Sequence, residues 1–236
     1  MENNNTKRIA IIPARGGSKR ILGKNLRSFF GKPIISYSIK CAERSSLFEK
    51  IHISTEDKDI YKVASNYGHQ PDFMRPSELA DDETPLIPVL KYTLEKYESL
   101  GEFFEEIMII MACAPLVKPE DLRNAVKLFR SKPNADGVVG VCKYPTPIAR
   151  SYRMNSKNWL EPEFPGKMRE RSQDLPENFF DAGQFSLFST FVVKKSEGAG
   201  DYRNLIGYEL PLHRAVDIDN EDDWALAEKL YTSEKQ

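Results

Sequence analysis

Residues 9–25, IAIIPARGGSKRILGKN, decide how this chain folds and what its first loop can bind. The apolar run over residues 9–12 ends at Pro13 and opens into a loop that contains Gly16 and Gly17. Short apolar runs are typical of buried strands in parallel sheets, and open α/β sheets bind ligands beyond the carboxyl ends of their strands. The stretch therefore predicts a buried first strand that leads into a ligand-binding loop.

Cationic side chains are concentrated in this loop and just beyond it: Arg15, Lys19, Arg20, Lys24 and Arg27. Clustered Arg and Lys can neutralise phosphate oxygens, and glycines let backbone N–H groups approach an anion. The spacing matches neither the P-loop nor the three-glycine dinucleotide motif. A solvated basic loop is the alternative, but such loops rarely follow directly on a first buried strand. We therefore predict a polyphosphate site.

Strand and helix patterns alternate along the chain. Further strands are predicted over residues 50–54, 107–111, 136–142 and 214–218, with the strongly apolar 107–111 run at the centre of the sheet. Apolar residues spaced three and four apart predict helices between these strands. The alternation predicts an α/β fold with a doubly wound, mostly parallel sheet.

Two prolines and one asparagine mark where helices should begin. Pro33 and Pro119 suit the first turns of two helices, since proline lacks a donor that the first turn does not need. Asn220 should cap the last helix, in which the acidic residues 221–223 face the positive end of the helix dipole.

The pattern changes between residues 145 and 190, which are rich in aromatic residues, proline and charge and show no helical period. Short antiparallel strands and loops are predicted there, because a structureless loop of this length is improbable inside a compact domain. We therefore expect a single domain over residues 1–236, with residues of about 145–190 inserted as a small antiparallel dimerisation arm or lid.

Composition excludes several classes of protein. The 236 residues carry 34 Lys and Arg against 35 Asp and Glu, which argues against binding of nucleic acid driven by net charge. Cys41, Cys113 and Cys142 lie far apart, which argues against a disulfide framework and for a reducing compartment. The apolar run at 107–117 is too short to span a bilayer, and the start of the chain is polar. We expect a cytoplasmic protein with no membrane or nucleic-acid partner.

The second informative pattern is Asp217-Ile218-Asp219. On a strand, residues two apart point to the same side, so both carboxylates would face one way. Two hard oxygen ligands suit Mg²⁺, which substrate phosphates can then complete. The alternative is that Asp219 and its neighbours only complement the start of the last helix. Beside a polyphosphate loop, the pair predicts a metal site and favours phosphoryl or nucleotidyl transfer.

The chain resembles the cytidylyltransferases that activate acidic sugars, the acylneuraminate and CMP-Kdo synthetases. IIPARGGSKRILGKN (11–25) is similar to the signature of that family, and the other matches are Ser54-Thr55-Glu56, the stretch from Arg75-Pro76 to Asp81, and Asp217-Ile218-Asp219. The resemblance covers nearly the whole chain. It implies a Rossmann-like nucleotidyltransferase fold, dependence on Mg²⁺, and a homodimer whose arm helps to close the partner's active site.

The resemblance also implies roles for particular residues. The CTP site would comprise Ala14, Arg15, Gly16, Gly17, Ser18, Lys19, Lys24 and Asn25, with Asn25 against the cytosine. Mg²⁺ would be held by Asp217 and Asp219, and the catalytic residues would be Arg15, Lys24, Asp217 and Asp219. The general base is left open between Asp219 and a metal-bound hydroxide.

Within the family, the segments RSQDL (171–175), DAGQF (181–185) and IMACAP (110–115) resemble those of the enzymes that activate pseudaminic acid. The resemblance implies transfer of CMP from CTP to the anomeric hydroxyl of this nine-carbon 2-keto sugar acid, with release of pyrophosphate. The sugar-site candidates are Arg75, Met111, Arg171, Gln173, Asp181 and Gln184.

Simpler interpretations of these residues stay open. Arg75 can fix a loop before its proline, and Asp181 can cap a turn. The same reaction on legionaminic acid, N-acetylneuraminic acid or Kdo is the nearer alternative for the function. A non-catalytic nucleotide-binding scaffold protein is the more distant one.

Overall fold

The computed structural model describes residues 6–81, 83–198 and 204–233, and a six-stranded sheet organises them. The strands of the described residues are β1 (Arg8–Pro13), β2 (Ser28–Phe29), β3 (Lys32–Pro33), β4 (Lys50–Ser54), β5 (Glu106–Ile110), β6 (Gly137–Lys143), β7 (Tyr152–Met154), β8 (Leu160–Pro162), β9 (Phe179–Ser189) and β10 (Leu205–Glu209). The helices are α1 (Ile35–Ser45), α2 (Lys58–Asn66), α3 (Leu86–Ser99), α4 (Pro119–Arg130), α5 (Thr190–Lys195) and α6 (Glu221–Ser233).

The sheet has the strand order β10-β6-β9-β5-β1-β4. Every neighbouring pair is parallel except for the two pairs that β9 forms with β5 and β6, which are antiparallel. The expected α/β fold with a mostly parallel sheet is confirmed. All five residues of β5 are buried, in agreement with its predicted central place.

Side chains of β1 alternate between two hydrophobic cores. Ala10 and Ile12 pack in a core with residues of α1, α2 and α4, whereas Ile9 and Ile11 pack in another core with residues of α3 and α5. Because successive side chains of a strand point to opposite faces, helices cover both sides of the sheet. This is the doubly wound arrangement that the alternating pattern predicts.

Two of the predicted helix starts are confirmed. α4 begins at Pro119, and the Oδ1 atom of Asn220 accepts hydrogen bonds from the backbone N–H groups of Asp222 and Asp223 at 2.9 Å and 3.0 Å. The start at Pro33 is wrong. That proline pairs with Ser28 in a short hairpin, which turns through Gly31 at a φ of 78°, and the helix begins only at Ile35.

The segment predicted at 145–190 contains two different structures. Residues 152–154 and 160–162 form a small antiparallel hairpin, β7–β8, as expected. Residues 179–189 instead form β9, between β5 and β6 in the central sheet. The sheet takes up this stretch because its buried side chains, among them Ala182 and Leu187, pack in the main core. The insertion therefore ends before residue 179, and its role in dimerisation stays a prediction.

The strand predicted at residues 214–218 is wrong. Residues 212–214 form a single 3₁₀ turn, and residues 215–219 belong to no strand or helix. The edge of the sheet next to β6 is occupied by β10, which the sequence reading missed. The backbone carbonyl of Val216 binds a side chain, Gln184, in place of a neighbouring strand. No helix within the described ranges is long and apolar enough to cross a membrane.

Candidate active site

A cleft of about 450 Å³ lies where β1 and β5 end. We call it the active-site cleft, and its walls are formed by Pro13, Arg15, Ser18, Lys19, Arg20, Lys24, Asn25, Met111, Ala112, Cys113, Asp217 and Asp219. The cleft brings the basic first loop, the end of the central strand and the carboxylate pair together across more than 200 positions of sequence. Open α/β sheets bind their ligands at the carboxyl ends of the strands, where this cleft lies.

Lys24 joins the basic loop to the carboxylate segment. Its Nζ atom donates a hydrogen bond of 2.6 Å to the carbonyl of Ile218 and lies 3.6 Å from Oδ1 of Asp219. Arg20 reaches the other oxygen of Asp219 at 3.0 Å. The cationic loop and the aspartates therefore form one charged site, in which opposite charges lie close enough to act on a single ligand.

The two aspartates lie close enough to influence each other. The side chain of Asp217 reaches solvent in the cleft, but the surrounding walls withdraw part of its hydration. This partial burial, followed by the charge of Asp219, raises the pKa of Asp217, while Lys24 acts in the opposite direction. A divalent cation relieves such repulsion between carboxylates.

The donor set of this pair fits Mg²⁺. The described residues bring together no cluster of three His, Cys, Asp or Glu side chains that could hold a metal. Mg²⁺ is commonly held by one or two carboxylates and completed by water and substrate phosphates, so the oxygen donors of Asp217 and Asp219 are of the kind that this ion takes.

Residues of β9 fix the carboxylate segment from behind. Nε2 of Gln184 donates to the carbonyl of Val216 at 2.7 Å. Gly183 has a φ of 62°, and a Cβ atom there would lie 2.7 Å from Oδ2 of Asp217. The glycine therefore serves both the left-handed turn and the close approach of the aspartate.

Arg214 anchors the same segment to α4. Its guanidinium contacts both carboxylate oxygens of Asp121, which is 3% exposed. The phenol of Tyr208 donates to the same carboxylate at 3.0 Å. Sequence reasoning missed this network, since 93 residues separate Arg214 from Asp121 and no local pattern links them.

Glycine has a different purpose at each of the two positions in the first loop. The N–H of Gly16 donates to Oε1 of Glu56 at 2.7 Å, and a Cβ atom at Gly16 would collide with the carboxylate of Asp57. Packing against the turn after β4 is therefore what requires this glycine. Gly17 faces open space, which suits the close approach to a ligand that the sequence predicts.

Asn25 is held in a fixed orientation at the wall of the cleft. Its Nδ2 atom donates to the carbonyl of Arg15 at 2.8 Å, and its Oδ1 atom accepts from the Cys113 thiol at 3.2 Å. Burial raises the pKa of Cys113 to about 12, so the thiol remains a neutral donor near pH 7. Arg15 also donates to the carbonyl of Asp81 at 2.8 Å, which ties the first loop to the segment after Arg75.

The structure separates the predicted sugar-site residues into two groups. Met111 lines the active-site cleft, and Asp181 is near enough to raise the pKa of Asp217. Gln184 lies one residue beyond Gly183, with its side chain buried behind the cleft.

Like Asp181 and Gln184, the remaining three candidates are not among the residues that line the cleft. Arg75 is buried and paired with Glu56 at 2.7 Å, which agrees with its loop-fixing alternative. Arg171 is exposed and paired with Asp174 at 2.7 Å, and Gln173 is exposed nearby. Within one chain, these two lie outside the active-site cleft.

Comparison with known proteins agrees with this geometry. Residues 9–158 match the family described as Cytidylyltransferase. The chain belongs to the cytidylyltransferase family. The predicted family and enzyme class, a nucleotidyltransferase, are thereby confirmed.

Two relatives match nearly the whole chain. It is 33% identical to a pseudaminic acid cytidylyltransferase of Campylobacter jejuni, with 95% of this chain and 96% of the relative covered. It is 31% identical to the CMP-N,N'-diacetyllegionaminic acid synthase of Legionella pneumophila, over 94% and 95% of the two chains. The cytidylyltransferase is therefore similar to enzymes named for two different sugar acids.

Solved structures share the fold. The structure of a CMP:2-keto-3-deoxy-manno-octonic acid synthetase complexed with CTP superposes with a TM-score of 0.72 at 16% identity, over 97% of this chain and 100% of the other. A 4-diphosphocytidyl-2C-methyl-D-erythritol synthase from Anaerococcus prevotii gives a TM-score of 0.59 at 13% identity, over 96% and 99%. At these identities the likeness concerns the fold, and it confirms the nucleotidyltransferase architecture.

Proposed function

We propose that this cytidylyltransferase transfers CMP from CTP to the anomeric hydroxyl of a nine-carbon 2-keto sugar acid and releases pyrophosphate. The proposal rests on the active-site cleft, in which Lys24 of the basic loop contacts the Asp217–Asp219 segment. Cations at one wall suit a triphosphate, and paired carboxylates at the other suit the metal that accompanies it.

The first loop would bind the nucleotide. Ala14, Arg15, Gly17, Ser18, Lys19 and Lys24 are proposed to surround the triphosphate, together with Gly16, which supports the loop through Glu56. Asn25 is proposed to contact the cytosine, because an amide both donates and accepts. Its present partners, the Arg15 carbonyl and the Cys113 thiol, leave one N–H and one lone pair of the amide for the base.

Asp217 and Asp219 are proposed to hold Mg²⁺. When bound, the ion would supply positive charge that orients the triphosphate and stabilises the leaving pyrophosphate. The chain's own contribution is to hold the two carboxylates in place, through Gln184 and Gly183 on one side and Lys24 on the other.

The transfer needs no covalent intermediate on the protein. The anomeric oxygen of the sugar would attack the α-phosphorus while the bond from that phosphorus to the β-phosphate oxygen breaks, and the hydroxyl loses its proton. Such reactions depend mainly on positioning and on electrostatic stabilisation. Lys24 and Arg15 are proposed to stabilise the charge that develops on the phosphate oxygens.

Pseudaminic acid is the proposed sugar. Support comes from the RSQDL and DAGQF segments and from two Campylobacter jejuni relatives named for this sugar, at 33% and 32% identity. Met111 is proposed to face the sugar from the cleft, Asp181 from beside Asp217, and Arg75 from its place beside Glu56. The legionaminic acid relative at 31% identity supports the second candidate substrate.

A homodimer would account for Arg171, Gln173 and the exposed arm. Large apolar side chains of β7, β8 and their connection are exposed, with Tyr152 at 51%, Met154 at 63% and Trp159 at 70%. Exposed apolar patches of this kind mark interaction sites. We propose that a second copy covers them, so that the arm brings Arg171 and Gln173 towards the partner's cleft.

A cytoplasmic location of the protein is likewise a proposal.

Pyrophosphate release from CTP tests the function directly. The purified protein is assayed with Mg²⁺ and, in parallel, pseudaminic, legionaminic and N-acetylneuraminic acids and Kdo. Release with pseudaminic acid supports the proposal in full, and preference for another sugar keeps the reaction but replaces the substrate. CTP binding without turnover on any of the four supports the scaffold alternative.

A further inference from the structure

A second cleft, of about 380 Å³, lies on the outer side of α1 and shares no lining residue with the active-site cleft. We call it the α1 cleft. Its walls come from α1, from residues 115–119 before α4, and from Tyr231 near the end of α6. Its volume falls within the range of small-molecule sites. Nothing in the proposed CTP and sugar sites uses these residues.

Positive charge predominates among the side chains that line the α1 cleft. Lys32, Lys40, Arg44 and Lys118 line it, and no acidic residue does. Lys32, Lys40 and Arg44 form no ion pair with any residue in the described ranges. Glu43 precedes Arg44 in the chain but does not line the cleft, and Glu120 and Asp121 on α4 are engaged by Arg123 and Arg214 respectively. Since like charges repel one another, a multiply charged anion would relieve the cluster.

A buried hydroxyl also lacks a partner in this cleft. Ser36 lines the α1 cleft and is 1% exposed, and its Oγ atom makes no hydrogen bond to the described residues. Buried polar groups in proteins are almost always hydrogen-bonded, because an unmet donor is unfavourable. A rotation of the Ser36 side chain towards the cleft would let an oxygen of a bound anion accept this hydrogen bond.

The remaining wall of the α1 cleft is aromatic and uncharged. The rings of Tyr37 and Tyr231 lie 5.3 Å apart at 90°. Burial, followed by the proximity of Tyr231, raises the pKa of Tyr37 to about 12, so this phenol does not become an anion near pH 7. Leu116 and Val117 add apolar surface. The cleft therefore combines anion-binding groups with a wall that can contact a planar ring.

We infer that the α1 cleft binds a phosphorylated anion with two or more negative charges, whose oxygens contact Lys40, Arg44 and Ser36. Arginine and lysine beside a hydroxyl donor form a favourable environment for phosphate oxygens. Free pyrophosphate and a nucleotide share this chemistry, and the aromatic wall would be used by the nucleotide alone.

Isothermal titration calorimetry with inorganic pyrophosphate, in buffer free of divalent cations, tests the inference. The wild-type protein should bind at two sites per chain, one in each cleft. The K40Q/R44Q variant should lose one site or bind there at least ten-fold more weakly. The matched control K127Q/R130Q removes the same charges from the exposed face of α4 and should keep both sites. A single site in the wild type, or two unchanged sites in K40Q/R44Q, overturns the inference.

Ser36→Ala separates binding from folding. Removing an unpartnered hydroxyl should leave the urea midpoint unchanged or raise it, whereas pyrophosphate should bind the α1 cleft about ten-fold more weakly, since a hydrogen bond to a charged group is lost. Unchanged binding in this variant overturns the assigned contact.

Titrations with CMP and inorganic phosphate then identify which phosphorylated anion the α1 cleft prefers, because tighter binding of CMP points to a nucleotide. Equal binding of sulfate at the same ionic strength overturns selectivity for phosphorylated anions.

Discussion

Arg214 contacts both carboxylate oxygens of Asp121, at 2.5 Å and 3.1 Å, and thereby links the start of α4 to the segment that carries the two candidate metal ligands. The pair is largely buried, with 12% of the Arg214 side chain and 4% of the Asp121 side chain exposed. Removing one partner of a buried pair leaves an uncompensated charge, which is costly. Asp217 follows Arg214 by three residues, so the link bears on the site as well as on stability.

Arg214→Gln should therefore weaken both folding and catalysis. We expect a loss of about 3–5 kcal/mol in the free energy of unfolding, measured by urea titration. We also expect kcat to fall at temperatures where the variant remains folded, because Asp217 is less firmly placed. Lys62→Gln is the control, since Lys62 forms an exposed pair with Asp59 on α2. An exposed pair contributes about 0–1 kcal/mol, so equal losses in the two variants would contradict the prediction.

The conformation of residues 214–218 could not be predicted from the local sequence. β1 and the helix starts at Pro119 and Asn220 follow from patterns within a few residues, and each was predicted. Residues 214–218 carry a strand-like pattern, but their conformation depends on Gln184, 32 positions before Val216, and on Asp121. Short-range periodicity contains no information about such partners.

Two further differences between the prediction and the structure also arise from partners that are distant in sequence. β9 enters the sheet between β5 and β6 in the antiparallel direction, a pairing that depends on the residues exposed by strands far away in sequence. Gly16 was predicted to let the backbone approach an anion, but it is the carboxylate of Asp57, 41 positions later by residue number, that excludes a side chain there. The motifs identified the basic loop and the Asp217–Asp219 pair that line the cleft, whereas the residues that support these segments were not predicted.

Gly183→Ala tests whether β9 sets the position of Asp217. The backbone strain of an alanine at positive φ costs about 1–2 kcal/mol, and the new Cβ would lie 2.7 Å from Oδ2 of Asp217. We expect a fall in kcat together with weaker activation by Mg²⁺, measured as pyrophosphate release against Mg²⁺ concentration.

Gly101→Ala supplies the control for that experiment. Gly101 has a φ of 81° and no atom within 4 Å of its would-be Cβ, so alanine there introduces the strain without the contact. This variant should lose stability while its activation by Mg²⁺ stays that of the wild type. An identical Mg²⁺ profile in Gly183→Ala would show that the contact with Asp217 does not matter.

Lys24→Ala and Asp219→Ala test the proposed transfer chemistry. Removing a group that stabilises charge in a transition state commonly lowers the rate by about two to three decades, or about 3–4 kcal/mol. We expect such losses in kcat for both variants, measured as pyrophosphate release at saturating CTP. Asp222→Ala, on the exposed side of the first turn of α6, serves as the acidic control and should retain activity. A wild-type rate in either test variant would remove that residue from the mechanism.

His52 should make the stability of the fold depend on pH. Its Nδ1 atom lies 2.9 Å from the phenol oxygen of Tyr97, and its Nε2 atom is buried without a hydrogen-bond partner among the described residues. Burial lowers the pKa of His52 to about 4, so the folded protein holds the ring neutral where the unfolded chain would protonate it. The unfolded state then binds more protons between about pH 6.5 and pH 4, and stability falls as the pH is lowered through that window.

The expected effect is a loss of about 2 kcal/mol in the free energy of unfolding between pH 7.5 and pH 5, read from urea midpoints. His52→Phe removes the titrating ring and should flatten this dependence, although it also loses the contact with Tyr97 and so lowers stability at pH 7.5. His213→Gln, a substitution of an exposed histidine, should keep the wild-type dependence. If His52→Phe loses as much stability as the wild type between the two pH values, the dependence arises elsewhere, and Asp72, which accepts a hydrogen bond from the same Tyr97 phenol, is the next group to replace.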